Sequence, residues 1–199
     1  IFYHMYPLGL TGAPKHNDQT EVTDRMKELE EWIPHMRSLG CNSLYIGPLF
    51  ESSTHGYDTR DYKLVDRRLG DNDGFRHFVE ACHEAGIRVV VDGVNFGWGS
   101  PMGDSFGYEA WQGHYELPCL NLWNPEVRQY LFDVIRFWID EFDIDGIRLD
   151  CANVLDFNFM KEMRAQTATM KPDFWLMGEV IHGEYSRWVN PEMLHSVTN

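Results

Sequence analysis

The sequence is poor in basic residues and cysteine, and it has no long apolar run. Its 199 residues carry 17 Lys and Arg against 31 Asp and Glu, a formal net charge of −14, whereas binding to phosphate backbones requires clustered cationic side chains. No stretch approaches the roughly 20 apolar residues that cross a bilayer, and the first residues do not resemble a signal peptide. We therefore expect no nucleic acid or membrane partner and a cytoplasmic location. The chain does not begin with Met, which leaves room for an upstream segment.

The cysteines are too few and too scattered for a zinc site or a disulfide framework. Cys41, Cys82, Cys119 and Cys151 include no Cys-x-x-Cys pair and have no His at zinc-binding spacing. We predict buried free thiols. The hydrophobic fraction of 43% is that of an ordinary globular chain, and we expect one domain.

Short apolar runs that end in acidic, Gly or Pro residues alternate with stretches of helical period. This alternation predicts βα units around a parallel sheet. The predicted strands are Phe2–Tyr6, Ser43–Ile46, Ile87–Val91, Gly146–Leu149 and Phe174–Met177.

Local signals define several helix boundaries. Asn124 before Pro125 is typical of an N-cap, and Pro34 should kink or split the helix that contains it. Asp71 begins a stretch that superficially resembles a calcium loop, but its twelfth position is Cys82 instead of the expected Glu. We therefore predict a helix N-cap at Asp71.

The chain is expected to divide into three parts. Residues 1–94 would form three βα units, 95–120 a long loop without helical or strand period, and 121–199 units four to six. Seven Trp, nine Tyr and twelve Phe offer candidate sugar-stacking surfaces, although most aromatic residues fill cores.

Two carboxylates near predicted strand ends are candidates for acid–base chemistry. Arg148 and Asp150 stand two apart and project to one face of a strand, where the guanidinium would stabilise and orient an ionised carboxylate. A purely structural ion pair explains that spacing equally well. Glu179 follows an apolar run that would favour the protonated form needed by a general acid. The alternative is a solvated loop residue.

Several segments resemble, in order, the motifs of the α-amylase superfamily, glycoside hydrolase family 13. Their form is most similar to neopullulanases and cyclodextrin-degrading members. The segments that carry the resemblance are Asp92-Gly93-Val94, Gly146 to Ala152, Gly178 to His182, His55 to Asp58 with Asp61-Tyr62, and Leu117 to Asn121.

This resemblance implies a (β/α)8 TIM barrel of which the chain contains five to six βα units. It implies a retaining glycosidase for α-glucosidic bonds of starch-type glucans, with Asp150 as nucleophile, Glu179 as general acid/base and Arg148 as a third catalytic residue. Two carboxyls about 5 Å apart are expected for that route. The residues that would bind the sugar are Tyr57, Asp58, Asp92 and His182. No cofactor is required, while calcium binding and a homodimer remain open.

Two departures from the family pattern complicate this interpretation. Asp92-Gly93-Val94 runs directly into Asn95, so the family's Asn-His pair has no match, and we predict a missing segment at this junction. The chain also ends near the predicted sixth strand, before the His-Asp motif that supplies a third acid. A catalytically silent, amylase-like barrel is therefore the competing hypothesis.

Overall fold

The computed structural model describes residues 1–92, 110–111, 114–118 and 120–198, with residues 110–118 described by backbone alone. In chain order the elements are β1 (Phe2–Met5), α1 (Pro7–Leu10), α2 (Met26–Glu30), α3 (Ile33–Ser38), β2 (Ser43–Ile46), β3 (Phe50–Ser52), β4 (Thr59–Val65), α4 (Asn72–Glu84), β5 (Arg88–Asp92), β6 (Ala110–Trp111), β7 (His114–Pro118), α5 (Pro125–Phe142), β8 (Gly146–Leu149), α6 (Phe157–Met170), β9 (Trp175–Glu179) and β10 (Ser196–Thr198).

The chain divides into two compact units. Unit 1 contains residues 1–92 and 137–146, and unit 2 contains 93–136 and 147–199. The five predicted strands are present with boundaries shifted by at most two residues. One difference matters for chemistry, because β9 extends through Glu179, which the sequence placed just beyond the strand.

Unit 1 is built on the parallel strands β1, β2 and β5, in that order. Leu44 and Ile46 of β2, like Val89 and Val91 of β5, are completely buried. Such β-branched and aliphatic runs are typical of parallel strands covered on both faces. The pairing brings the C-terminal ends of β2 and β5 to one edge of unit 1.

The predicted helix signals of unit 1 are confirmed. Asp71 Oδ1 accepts a hydrogen bond from the backbone N–H of Gly74 at 2.8 Å and caps α4. The helical segment around Pro34 is split into α2 and α3. The buried side of α4 consists of Phe75, Phe78, Val79 and Cys82.

An antiparallel hairpin, β3 with β4, was not predicted. Its first strand is buried along its whole length, Glu51 included, so it lacks the alternation that identifies a half-buried strand. Trp138, in the part of α5 that belongs to unit 1, stacks on Phe50 with ring centroids 4.5 Å apart. Its indole N–H also donates to the carbonyl of Tyr62 at 2.6 Å, so Trp138 ties the hairpin into the core.

A buried ion pair stabilises the same region. Arg68 Nη2 lies 2.7 Å from Asp66 Oδ2, and both side chains are almost completely excluded from water. The guanidinium also donates to Ser52 Oγ and to the backbone carbonyls of Pro14 and Thr54. One buried cation thus joins three segments that are distant in sequence.

Unit 2 contains the neighbouring strands β8, β9 and β10. Strand β10 pairs in parallel with β9, Ser196 opposite Met177. Arg128 links α5 to α6 by ion pairs with Asp156 and Glu162. Asn124 caps α5 as predicted, its Oδ1 accepting from the N–H of Glu126 at 2.9 Å.

The stretch expected to be a loop contains the short antiparallel pair β6 and β7, and a two-residue strand is too short to show periodicity. Cys41, Cys82 and Cys151 are free, but only Cys82 is buried, and Cys119 lies outside the described residues. Among the helices that the structure describes, none is long and apolar enough to span a bilayer.

Candidate active site

The two predicted catalytic carboxylates occupy adjacent strand ends in unit 2. Asp150 directly follows β8, and Glu179 is the last residue of β9. The side chain of Asp150 is 13% exposed and that of Glu179 is 28% exposed, so the second carboxyl has greater access to water. The strand termini alone bring together residues that stand 29 positions apart in sequence.

Arg148 contacts both carboxylates. Its Nη1 forms an ion pair with Asp150 Oδ1, and its Nη2 lies 3.0 Å from Glu179 Oε2. Only 8% of the Arg148 side chain is exposed. A planar guanidinium can serve two acceptors at fixed geometry, which a single ammonium point charge cannot do equally well. The predicted Arg–Asp pair is therefore present, and it includes the acid/base candidate as well.

The separation of the carboxylates limits the chemistry they can perform. A carboxylate oxygen of Asp150 and one of Glu179 lie within 4.8 Å of each other. Retaining glycosidases hold their two carboxyl groups about 5–5.5 Å apart, whereas inverting enzymes leave about 6.5–9.5 Å for an intervening water. The observed spacing is closer to the shorter of these ranges, as direct attack by a carboxylate requires.

Cys151 adjoins both carboxylates and was missed as a site residue. It adopts a left-handed backbone conformation, with φ 47° and ψ 40°, which is uncommon outside Gly and Asn. Its N–H donates to Glu179 Oε2 at 3.1 Å, and its Sγ lies 3.6 Å from Asp150 Oδ2. Burial, followed by the charges of Asp150 and Glu179, raises the pKa of the thiol to about 12. The sequence signalled only its position next to Asp150.

Gly178 allows β9 to approach its neighbours closely. A Cβ added there would lie 2.7 Å from the Cβ of Ala152 and 2.5 Å from a methyl of Leu194. Leu194 could rotate away, but the Ala152 Cβ is fixed to the backbone. The absence of a side chain at Gly178 therefore positions Glu179 beside the segment that follows Asp150.

The predicted sugar-binding residues fall in both units. His182 lies exposed on the segment after β9 in unit 2. In unit 1, Asp92 is buried at the end of β5 and accepts a hydrogen bond from the hydroxyl of Tyr45 at 2.9 Å. The Tyr45 ring stacks on His4, with centroids 4.5 Å apart. Sequence reasoning treated Tyr45 and His4 only as strand residues.

Asp58 stabilises the loop that carries Tyr57. Its Oδ1 accepts from the N–H of Gly56 at 3.2 Å, and its Oδ2 accepts from Thr54 Oγ1 at 2.8 Å. The Tyr57 ring is partly exposed and tilted against His55 at a centroid distance of 6.2 Å. In this structure the Asp58 carboxylate is engaged in folding its own loop.

Calcium does not fit the cluster of Asp150, Cys151 and Glu179. Calcium takes six to eight oxygen ligands, whereas this cluster includes a thiol and lies against the cationic Arg148. Calcium binding elsewhere stays a prediction, and the stretch directly after β5 lies outside the described residues. So does the Val94–Asn95 junction with its predicted missing segment.

Comparisons with known proteins identify relatives of this chain. The family model described as alpha amylase, catalytic domain, matches residues 16–99 and 98–199. An intracellular maltogenic amylase of Bacillus subtilis (strain 168) is 36% identical over 193 residues, 84% of this chain and 33% of the relative. A cyclomaltodextrinase of Thermoanaerobacter pseudethanolicus is 32% identical over 242 residues, 100% of this chain and 42% of the relative.

A solved structure shows the same relationship. The ligand-free cyclic α-maltosyl-(1→6)-maltose hydrolase from Arthrobacter globiformis is 27% identical with a TM-score of 0.83, covering 100% of this chain and 54% of that protein. The chain thus spans well under two thirds of the length of these relatives. The expected (β/α)8 class is confirmed, with β1, β2 and β5 in unit 1 and β8, β9 and β10 in unit 2 as its barrel strands. On these matches, the chain belongs to the α-amylase catalytic domain family.

Proposed function

We propose that the protein hydrolyses α-glucosidic bonds of starch-type glucans or malto-oligosaccharides with retention of anomeric configuration. The observation that carries this proposal is the close approach of Asp150 and Glu179, because one carboxylate oxygen of each lies within 4.8 Å of the other. That spacing suits a nucleophile and a proton donor acting on the same bond. The relatives named maltogenic amylase and cyclomaltodextrinase support this substrate class.

In the first step, a carboxylate oxygen of Asp150 attacks the anomeric carbon. The bond from that carbon to the glycosidic oxygen breaks, and the protonated Glu179 transfers its proton to the departing oxygen. The products of this step are a glycosyl ester on Asp150 and an ionised Glu179. Arg148 orients both carboxylates through its two terminal nitrogens.

In the second step, Glu179 takes a proton from water as the oxygen of that water attacks the anomeric carbon. The ester bond to Asp150 breaks, the sugar leaves with its original configuration, and Glu179 is again protonated. Two inversions at one carbon give net retention. A sugar hydroxyl in place of water would give transglycosylation by the same groups.

For sugar binding, unit 1 would offer Tyr57 as a stacking surface and Asp92 as a polar group, and unit 2 would offer His182 as a polar group. Tyr57 is partly exposed on a loop held by Asp58, as a stacking residue requires. We assign Asp58 the indirect role of fixing that loop. A cytoplasmic location fits the relative named intracellular maltogenic amylase.

Proton NMR of freshly released product from maltotriose or a cyclodextrin tests the stereochemistry. The expected first product is the α-anomer, and initial release of the β-anomer would contradict the proposal. Mass spectrometry after reaction with an activated fluoroglycoside should place the trapped sugar on Asp150, with an Asp150→Asn variant as unlabelled control. Carbohydrate binding without turnover would instead support the catalytically silent alternative.

A further inference from the structure

Cys151 stands apart from the residues that the proposed mechanism uses. It carries no charge and offers one group to each catalytic carboxylate. Its backbone N–H reaches Glu179 at 3.1 Å, and its sulfur reaches Asp150 at 3.6 Å. Its backbone is left-handed, a conformation that is disfavoured for residues other than Gly.

We infer that Cys151 is a positioning residue for the catalytic pair, with its thiol donating a hydrogen bond to Asp150 while its backbone N–H holds Glu179. This inference rests on the proposed function of the two carboxylates. Cys151 would then influence both carboxylates although no step of the mechanism forms or breaks a bond to its sulfur.

The direction of the thiol hydrogen bond follows from its neighbours. An ionised carboxylate can only accept, so the thiol proton is the one hydrogen available between Sγ and Asp150 Oδ2. With a thiol pKa raised to about 12 by burial and by the nearby carboxylates, that proton is present throughout the neutral range. The thiol is therefore a donor, although a weak one, and not a competing nucleophile.

The charged groups around Cys151 come from both strands of the site. Asp150 and Arg148 belong to β8 and the residue after it, and Glu179 belongs to β9; these three groups set the electrostatics at the thiol. A hydrogen bond to an ionised carboxylate favours ionisation. Loss of the thiol should therefore raise the pKa of the Asp150 carboxyl and move the acidic limb of the kcat/KM profile to higher pH.

Two substitutions, each made in the complete natural protein, test this effect. Cys151→Ala removes the donor and keeps the backbone N–H, and Cys151→Ser restores a donor of similar size. In the pH profile of kcat/KM, which reports the free enzyme, we expect Cys151→Ala to raise the acidic limb by about 0.3–0.5 pH unit. We expect the basic limb to stay in place and Cys151→Ser to return the acidic limb to the original value or below.

A filling role for Cys151 would produce a different pattern. If the unmodified protein turns over substrate but the acidic limbs of the kcat/KM profiles are identical in Cys151→Ala and Cys151→Ser, the inference is overturned. The proposed function would then remain intact. No turnover of any α-glucan by the unmodified protein would instead contradict the proposed function. The two failures are therefore distinguishable.

Alkylation by iodoacetamide gives a readout that does not need turnover. Peptide mass spectrometry follows the rate at Cys151 as a function of pH, separately from the other cysteines. Replacing Asp150 by Asn should lower the pH at which alkylation accelerates, because the thiolate loses a repelling charge. Asp173→Asn removes an exposed carboxylate elsewhere in unit 2 and should cause no shift. The same pH dependence of Cys151 alkylation in both variants would overturn the inference.

Discussion

Arg148 Nη2 lies 3.0 Å from Glu179 Oε2, so the cation next to the proposed nucleophile also holds the proposed proton donor. The same guanidinium contacts Asp150 through its other terminal nitrogen. A single buried cation therefore balances two carboxylates at close range. Replacing it affects the geometry of both groups together.

We expect Arg148→Lys to lower kcat/KM on malto-oligosaccharides by about 10²-fold. An ammonium keeps the charge but cannot donate along two fixed directions. Steady-state kinetics measures the loss, and circular dichroism checks the fold. Arg136→Lys, an exposed position on α5, is the matched control and should retain full activity. Equal activity in the two variants would contradict the bridging role.

Glu179→Gln should affect substrates according to their leaving groups. A glutamine cannot donate a proton, and general acid catalysis contributes about 10²–10⁴-fold. We expect a loss of this size in the glycosylation step with malto-oligosaccharides and a much smaller loss with activated aryl glycosides. Pre-steady-state kinetics on both substrate types isolates that step. Equal losses would show that Glu179 has another role.

Gly178→Ala should impair the site through packing. The added methyl would meet the Ala152 Cβ at 2.7 Å, so β9 must shift and Glu179 must move with it. We expect a destabilisation of about 1–3 kcal/mol and a larger relative loss of kcat than of substrate affinity. Combining it with Ala152→Gly should restore part of both. Urea unfolding and kinetics on the single and double variants measure the recovery, and no recovery would contradict the steric explanation.

His195 should make stability depend on pH. Burial, followed by the positive charge of Arg164, lowers its pKa, and its Nδ1 accepts from the N–H of Leu176 at 2.9 Å. Because the unfolded chain protonates this group more readily, its contribution is fully present above about pH 6.5 and is lost as the pH falls through the lower folded pKa. Urea unfolding between pH 7 and 5 should be less pH-dependent in His195→Gln than in the unmodified protein. His77→Gln, at an exposed position, should leave the dependence unchanged.

The natural protein should contain an additional segment between Val94 and Asn95, with an Asn-His pair close after β5. The alignment with the Thermoanaerobacter cyclomaltodextrinase extends over 242 residues although this chain has 199. Mass spectrometry of the peptide that spans this junction in the purified natural protein tests the prediction directly. A peptide in which Val94 is joined to Asn95 would contradict it.

Sequence patterns identified the parallel strands because these strands are buried on both faces and end at recognisable residues. They also placed Asp150 and Glu179 at strand ends, and the structure confirms that these carboxylates adjoin. The hairpin of β3 and β4 was not predicted, because its register shifts twice and its first strand buries a charged residue. No periodicity predicts such pairing.

The contacts of Cys151 and Tyr45 could not be predicted for a different reason. Each depends on a partner from another element, Glu179 for Cys151 and Asp92 for Tyr45. The left-handed backbone of Cys151 adds a conformation that its residue type does not favour. Local sequence contains neither piece of information.

The buried pair of Asp66 and Arg68 also constrains how this region can change over generations. Removing one partner leaves an unpaired charge out of water, at a cost of about 3–5 kcal/mol, whereas replacing both by well-packed apolar residues is often tolerated. Because the same guanidinium also holds the carbonyls of Pro14 and Thr54, a tolerated replacement must supply donors for them as well. Stepwise mutation therefore passes through poorly folded intermediates, and the cluster is expected to be inherited as a set, with strong epistasis among its members.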